Sequence, residues 1–386
     1  MDHSCDAVAE RIAAGLGFSC RDANPVVTFR DPFHLENGTM PVLELLIIAG
    51  AAFAFAHAWR RWRRDGDPVN ISLWFASVVY LLVTEPPLYF PAWFGLQQRV
   101  GFIFMHNVFT VQFMFDRLPL YIVAFYPAIS QLAYELVRAL RVFERRGLLA
   151  GSLAVAFACQ VFYEIFDQLG PQLKWWAWNP ANEVVNQPMF ASVPMNSMVL
   201  FASVSFGAMA GLVVRLVGAR PRRGTLRGPV RGPLRGPLRG SQIAWRTIVA
   251  GAVTPLAMMV VSAPSGAFPG NGANIDVRRA ILGVELAVVW IVGLYLLADA
   301  VRKREAPAIT SPMFVRVYPA AYLVVLVALW LVALPAFLGA VGGVTKDGTP
   351  VGSWWYVIAC VVASSVFIAV ALRATSPRPA VEAVRT

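Results

Sequence analysis

The chain has 386 residues, of which 58% are hydrophobic and only 14% charged, and its mean hydropathy is +0.59. A soluble domain carries about a quarter charged residues, so these figures exclude an ordinary cytosolic enzyme, a disordered chain and a fibrous one. Lys and Arg number 33 against 22 Asp and Glu, a net +11 with only Lys174, Lys303 and Lys346 as lysines. Excess Arg in so apolar a chain points to the positive-inside asymmetry of a membrane protein, not to nucleic acid.

Residues 1–39 contain no apolar core of the kind a signal peptide has, and read as an extracytoplasmic segment in which Cys5 and Cys20 could pair. Nine stretches then reach the roughly 20 apolar residues a crossing helix needs. They are 41–59, 70–91, 118–140, 147–166, 189–217, 244–263, 280–300, 315–340 and 354–372. The predicted fold class is therefore all-α, a polytopic membrane helix bundle of about nine transmembrane helices plus one re-entrant or interfacial segment. That extra segment is 92–116, apolar and aromatic, which is expected to be a helix that does not cross.

By composition the chain divides into 1–39 outside, a bundle of spans 1–5 over 40–218, a linker over 219–243, spans 6–9 over 244–372 and a cytoplasmic tail over 373–386. The linker carries the near-repeat RGPVRGPLRGPLRG, a solvated loop that could also tether anionic lipid head groups at about 1 kcal/mol per Arg. With this topology 24 of the 33 basic residues fall on one side. That side is expected to be cytoplasmic, with the N-terminus outside and the C-terminus inside the plasma (inner) membrane.

No phosphate-cradling glycine loop is present, and His3, His34, His57 and His106 are too scattered for histidine boxes. Neither a cofactor nor a metal is expected. Cys159 and Cys360 lie in apolar runs and read as packing residues.

An ionisable group inside a span costs about 2.5–3.5 kcal/mol on insertion scales and needs a partner or a purpose. On span 4, at 100° per residue, Gln160, Tyr163, Glu164 and Asp167 fall within an arc of about 100° near the outer end. Glu85 lies one turn below the outer surface, with Pro86 and Pro87 expected to break the helix beyond it. Asp116 opens span 3, His106 and Asn107 lie in the re-entrant segment, and Asn196 with Ser192 and Ser197 opens span 5. All belong to the outer half. Glu135 reads as a structural residue that pairs with Arg138 at i+3. Asp116 has a bland alternative as the interfacial partner of Arg117 or Arg99, and Asp167 as a wet helix end. Trp175, Trp176 and Trp178 read first as an aromatic belt and second, with Asn179, as the wall of a substrate pocket. Ser203, Gly207 and Gly211 form a small-xxx-small packing face.

The layout from Glu164 to Met195 resembles that of membrane-embedded carotenoid hydratases and polytopic isoprenoid cyclases. The matching pieces are Glu164, Gly170, Trp175-Trp176-Ala177-Trp178, Pro188 and Val193-Pro194. Tryptophans stand where that family has tyrosines, and nine spans exceed its usual number. A spirocyclase-like membrane family is a further candidate relative. The resemblance implies a lipophilic, isoprenoid-like substrate. Alkene protonation or epoxide opening needs a carboxylic acid kept protonated by burial, with a second group to return the proton or activate water. Aromatic faces can steady the cation formed. On this reading Glu164 is the general acid, Asp167 or Glu85 its partner and His106 a base. Asp116 completes the catalytic candidates. The wall is Tyr163, Trp175, Trp176, Trp178, Asn179 and Asn196. Two other classes compete: a proton- or cation-coupled transporter, which requires a polar route on both sides of its site, and a non-catalytic scaffold whose polar groups only join helices.

Overall fold

The computed structural model describes residues 5–21, 23–31, 35–107, 111–218, 238–302 and 312–375. The linker and the tail, with the lipid head-group contact expected there, fall mostly outside these residues. Helix α1 (Ala7–Gly15) starts where Asp6 Oδ1 accepts from the backbone N–H groups of Val8 and Ala9 at 3.0 and 2.8 Å, and strand β1 (Val27–Phe29) follows. Cys5 and Cys20 are joined by a disulfide.

Next come the first two long helices, α2 (Met40–Asp65) and α3 (Val69–Tyr89). Strands β2 (Phe104–His106), β3 (Val111–Phe113) and β4 (Leu118–Pro119) lead into α4 (Leu120–Ala139) and α5 (Val142–Asp167). Strands β5 (Trp176–Trp178), β6 (Met189–Phe190) and β7 (Val193–Pro194) precede a π-helical run, Ser197–Ser205, that continues as α6 (Phe206–Val217). The last four helices are α7 (Gly240–Gly266), α8 (Asn274–Arg302), α9 (Met313–Leu338) and α10 (Trp354–Thr375).

Among the described residues nine helices, counting Ser197–Val217 as one, are long and apolar enough to cross a bilayer. The all-α polytopic class stands, and the chain is an integral membrane protein. Burial falls outward from α4, whose apolar stretch is 89% buried, to α5 at 67% and α7–α10 at 22–39%. The later helices therefore line the outside of a core built from the first half. Gly147, with φ 85° and ψ −176°, interrupts the start of α5; only glycine takes that conformation without a Cβ clash.

Hydrogen bonds at both ends make α3 and α4 antiparallel: Tyr126 bonds Glu85, while Gln131 and Glu135 both bond Asn70. Residues 90–119 therefore leave and re-enter the bundle at the same end, as a non-crossing segment must. The expected helix over 92–116 is not formed. After a 3-10 turn at Pro91–Phe94 and further turns up to Val100, the described backbone forms the short strands β2 and β3. β3 pairs antiparallel with β1 and β4, and β2 pairs with β5. Broken backbone near a bilayer has to find its hydrogen-bond partners in protein, and other segments of this same end supply them. Pro86 and Pro87 do not end α3 either. The helix runs to Tyr89, with the Phe90 N–H bonded to the Pro86 carbonyl at 2.9 Å. The fifth span starts at Ser197, because residues 189–194 fold as the β6–β7 hairpin.

The small-residue face packs as expected. A Cβ on Gly207 would meet Ala156 Cβ and Ser152 O at 2.7 Å, and one on Gly211 would meet Ser152 Oγ at 2.2 Å. Cys159 and Cys360 are free and buried.

Candidate functional site

The strand end of the bundle encloses a cavity of about 60 Å³, room for several waters at roughly 10–15 Å³ each. Three acid–base residues from three distant segments line it: Glu85 on the last turns of α3, His106 on β2 and Asp167 at the end of α5. Half of the remaining lining residues are aromatic. Phe104, Trp176 and Trp178 come from the strands, while Phe125, Tyr126 and Phe166 come from α4 and α5. Tyr163 on α5 and Phe201 on the π-helical run complete the aromatic surface. π-helical turns are rare and tend to occur at functional sites; this one also brings Ser197 to the cavity.

Glu85 is buried at 6% exposure. Its Oε1 accepts from the Tyr126 hydroxyl, its Oε2 makes no close hydrogen bond, and the Tyr89 hydroxyl lies within reach of the carboxyl. Asp167, at 2% exposure, accepts from Ser197 Oγ at 3.1 Å through Oδ2. His106 is held by its ring neighbour Tyr121, whose hydroxyl lies 3.1 Å from Nδ1 and 3.3 Å from the Trp175 carbonyl. A carbonyl only accepts, so in the tautomer where the hydroxyl donates to Trp175, Nδ1 carries the imidazole proton. Nε2 then keeps its lone pair. Burial pushes the imidazole down to about 3, because the charged form loses its hydration. His106 is thus neutral near pH 7.

The β2–β5 ladder aligns His106 with Trp176 and Phe104 with Trp178. Side chains alternate across a strand, so Phe104 and His106 share one face while Met105 takes the other, against Ala9, Ala13 and Leu16 of the N-terminal segment. Gly170 makes the space for Trp176: a Cβ there would fall 2.0 Å from the indole.

Of the eleven residues assigned from sequence to catalysis or to the substrate wall, Glu85, His106, Asp167, Tyr163, Trp176, Trp178 and Asn196 line this one cavity. Four do not. Glu164, the expected general acid, is fully buried elsewhere: its Oε2 accepts from Gln168 Nε2 at 3.2 Å, and it lies within electrostatic reach of Tyr356 and Cys360. The three-residue offset from Asp167 turns it about 60° around the helix, far enough to face α10. Asp116 sits in the β3–β4 turn, where Met114, Phe115 and Asp116 all have positive φ of 54–57°. Arg30 lies within its electrostatic reach, and Arg117 packs on Met105 Sδ at 3.3 Å and on the Phe102 ring. Trp175 stands behind the wall, stacked on Phe166 at 5.8 Å with Nε1 donating to Thr39 Oγ1 at 2.9 Å. Asn179 bonds the Phe102 and Ile103 carbonyls at 2.8 Å and so shapes the loop.

Tyr126 and Asn186 are wall residues that sequence reasoning missed. A buried tyrosine hydroxyl in a span needs a partner, which is a signal that Tyr126 carried. Asn186 carried none, since its place depends on Nδ2 reaching the Ile103 and Asn179 carbonyls, both at 2.8 Å.

A second buried polar group lies at the other end of α2–α4. Glu135 accepts from Arg138 at 3.0 Å, as the i+3 spacing foretold, and from Asn70 at 2.8 Å, with His57 Nε2 at 3.4 Å. Among the described residues the one His, Cys and carboxylate group close enough to share a metal is Cys5, Glu10 and Cys20, and there the two sulfurs are bonded to each other. Comparison with protein-family models, with curated proteins and with solved structures finds no match for this chain.

Proposed function

We propose that this membrane protein is an acid–base enzyme, a hydratase, cyclase or isomerase, acting on a lipophilic isoprenoid-like substrate. The observation that carries the proposal is the convergence of Glu85, Asp167 and His106 on one aromatic-walled cavity. A chamber of about 60 Å³ is far below the roughly 300–1,000 Å³ of a site that engulfs a drug-sized ligand. It suits the reacting end of a substrate whose chain stays among the helices or in lipid.

In this mechanism Glu85 or Asp167 gives a proton to an alkene carbon or an epoxide oxygen, leaving a carbocation beside the aromatic faces. His106 Nε2 then takes a proton, either from the carbon next to the cation, which forms a new alkene, or from a water that adds to it. The proton count balances and no redox partner is needed. Glu164, the acid expected from the hydratase and cyclase resemblance, stands outside this scheme.

The topology proposed with it has the N-terminal segment and the cavity on the extracytoplasmic side of the plasma (inner) membrane. The basic-residue count and the Cys5–Cys20 disulfide support it, since disulfides persist outside the reducing cytosol. A head-group tether at the Arg-rich linker belongs to the same proposal.

The test compares lipid extracts by mass spectrometry from cells lacking the protein, cells expressing it, and cells expressing Glu85→Gln or Asp167→Asn at equal membrane levels. A lipid that changes by hydration, or in retention at constant mass, only with the wild type supports the enzyme. Identical extracts overturn it. The buried Glu135 cluster at the opposite end favours a second reading, a proton- or cation-coupled carrier, and substrate-driven proton flux in proteoliposomes would select that one.

A further inference from the structure

Any charge that the described cavity wall carries near pH 7 is negative. The wall holds the carboxyl groups of Glu85 and Asp167 and, among the described residues, no Lys or Arg. The nearby guanidinium groups are engaged away from it, Arg117 on Met105 and Phe102 and Arg30 on Asn107 and the Phe18 ring. His106 adds no positive charge, because burial keeps it neutral. A phosphate, diphosphate or carboxylate would meet two carboxyls with nothing to balance it.

Around those carboxyls stand aromatic faces, and a ring face attracts cations through its quadrupole. Glu85 Oε2, buried on the cavity wall, makes no close hydrogen bond, and the Tyr89 hydroxyl is the neighbouring donor within reach of the carboxyl. A buried carboxyl that is not saturated by donors can face a positive ligand group directly. Carboxyls and rings without a compensating base are the chemistry that recognises an alkylammonium head.

We infer that the cavity is a binding site for an organic cation, a tertiary or quaternary ammonium whose N-alkyl groups pack on Trp176, Trp178, Tyr126 and Tyr163 and whose charge faces Glu85 and Asp167. The head group fills the chamber and any longer chain leaves it. This holds whether or not the cavity also catalyses. For the proposed enzyme such a ligand is a stable mimic of the carbocation, and for a carrier it is cargo.

The experiment measures equilibrium dialysis of radiolabelled benzyltrimethylammonium against the full-length protein in an uncharged maltoside detergent. Competitors are neopentylbenzene, its neutral carbon isostere, and benzenesulfonate. Saturable binding at one site per chain is expected, with the isostere displacing at least about tenfold more weakly and the sulfonate not at all. Glu85→Gln and Asp167→Asn should each weaken binding by about tenfold or more, while the exposed Asp276→Asn leaves it unchanged. No saturable binding, equal displacement by the isostere, or unchanged affinity in both carboxamide variants overturns the inference. If a variant does not fold, the competition series on the wild type decides alone. Lipid extracts unchanged by the protein would remove the enzyme and leave this result standing, so the two failures are separable.

Discussion

His106 and Trp176 face each other across the two-stranded β2–β5 ladder, with ring centroids 5.9 Å apart. One side chain brings a neutral imidazole to the cavity and the other its aromatic wall. Because β2 lies between α3 and α4 and β5 follows α5, the pairing ties together two loops that the helices alone would leave independent.

The placement of the carboxyls predicts an ordering of variants. Glu85→Gln and Asp167→Asn should lower turnover by about 10²–10⁴, the range for loss of a general acid or base. Glu164→Gln, outside the cavity, should cost far less. Relative product per unit of protein in the lipid-extract assay measures it, and equal losses at all three positions would contradict the assignment.

Gly170→Ala should displace Trp176, since the new methyl would fall 2.0 Å from the indole with the fully buried Leu169 beside it. Overpacking of this kind costs about 1–3 kcal/mol. A lowered unfolding temperature, with changed tryptophan fluorescence, is the expected readout.

His106 makes stability depend on pH. Its folded value of about 3 lies below the unfolded value of about 6.5. Between those limits the unfolded chain binds more protons than the folded one, so stability rises with pH through this window and is lost as the pH falls from about 6.5 toward 3. His106→Gln should therefore flatten that part of the profile. Unfolding temperatures of both proteins between pH 7 and 4 would show it, and parallel curves would refute it.

Glu135→Ala should destabilise the bundle without entering the chemistry. It strips Arg138 and His57 of their carboxylate and Asn70 of an acceptor. Breaking a buried pair from one side costs about 3–5 kcal/mol, and partial access of Arg138 to solvent places the loss near the lower end. Reduced accumulation with unchanged specific activity of the surviving protein is the expected pattern.

Gly207→Leu should separate α6 from α5, whose Ala156 and Ser152 already stand 2.7 Å from a Cβ at that position. Failure to recover a monodisperse protein is expected, with Gly283→Leu, where nothing lies within 4 Å, as the tolerated control.

Crossing a membrane is a property of a segment by itself, since it depends on length and hydropathy, so the nine long apolar helices could be read from residue order, with ends off by up to eight residues. The Glu135–Arg138 pair and the Gly207 packing face were legible for the same reason, being matters of helical period. Residues 92–116 were not, because their backbone hydrogen bonds go to segments far away in sequence, β1 and β5. The cavity is equally non-local. Residue order placed Glu85, His106, Asp167 and Glu164 in one half of the membrane, which sets depth and leaves azimuth open. Only packing decided that Asp167 reaches the cavity of His106 while Glu164, three residues earlier, turns toward α10, and only the strand register put Trp176 and Trp178 on the wall with Trp175 behind it.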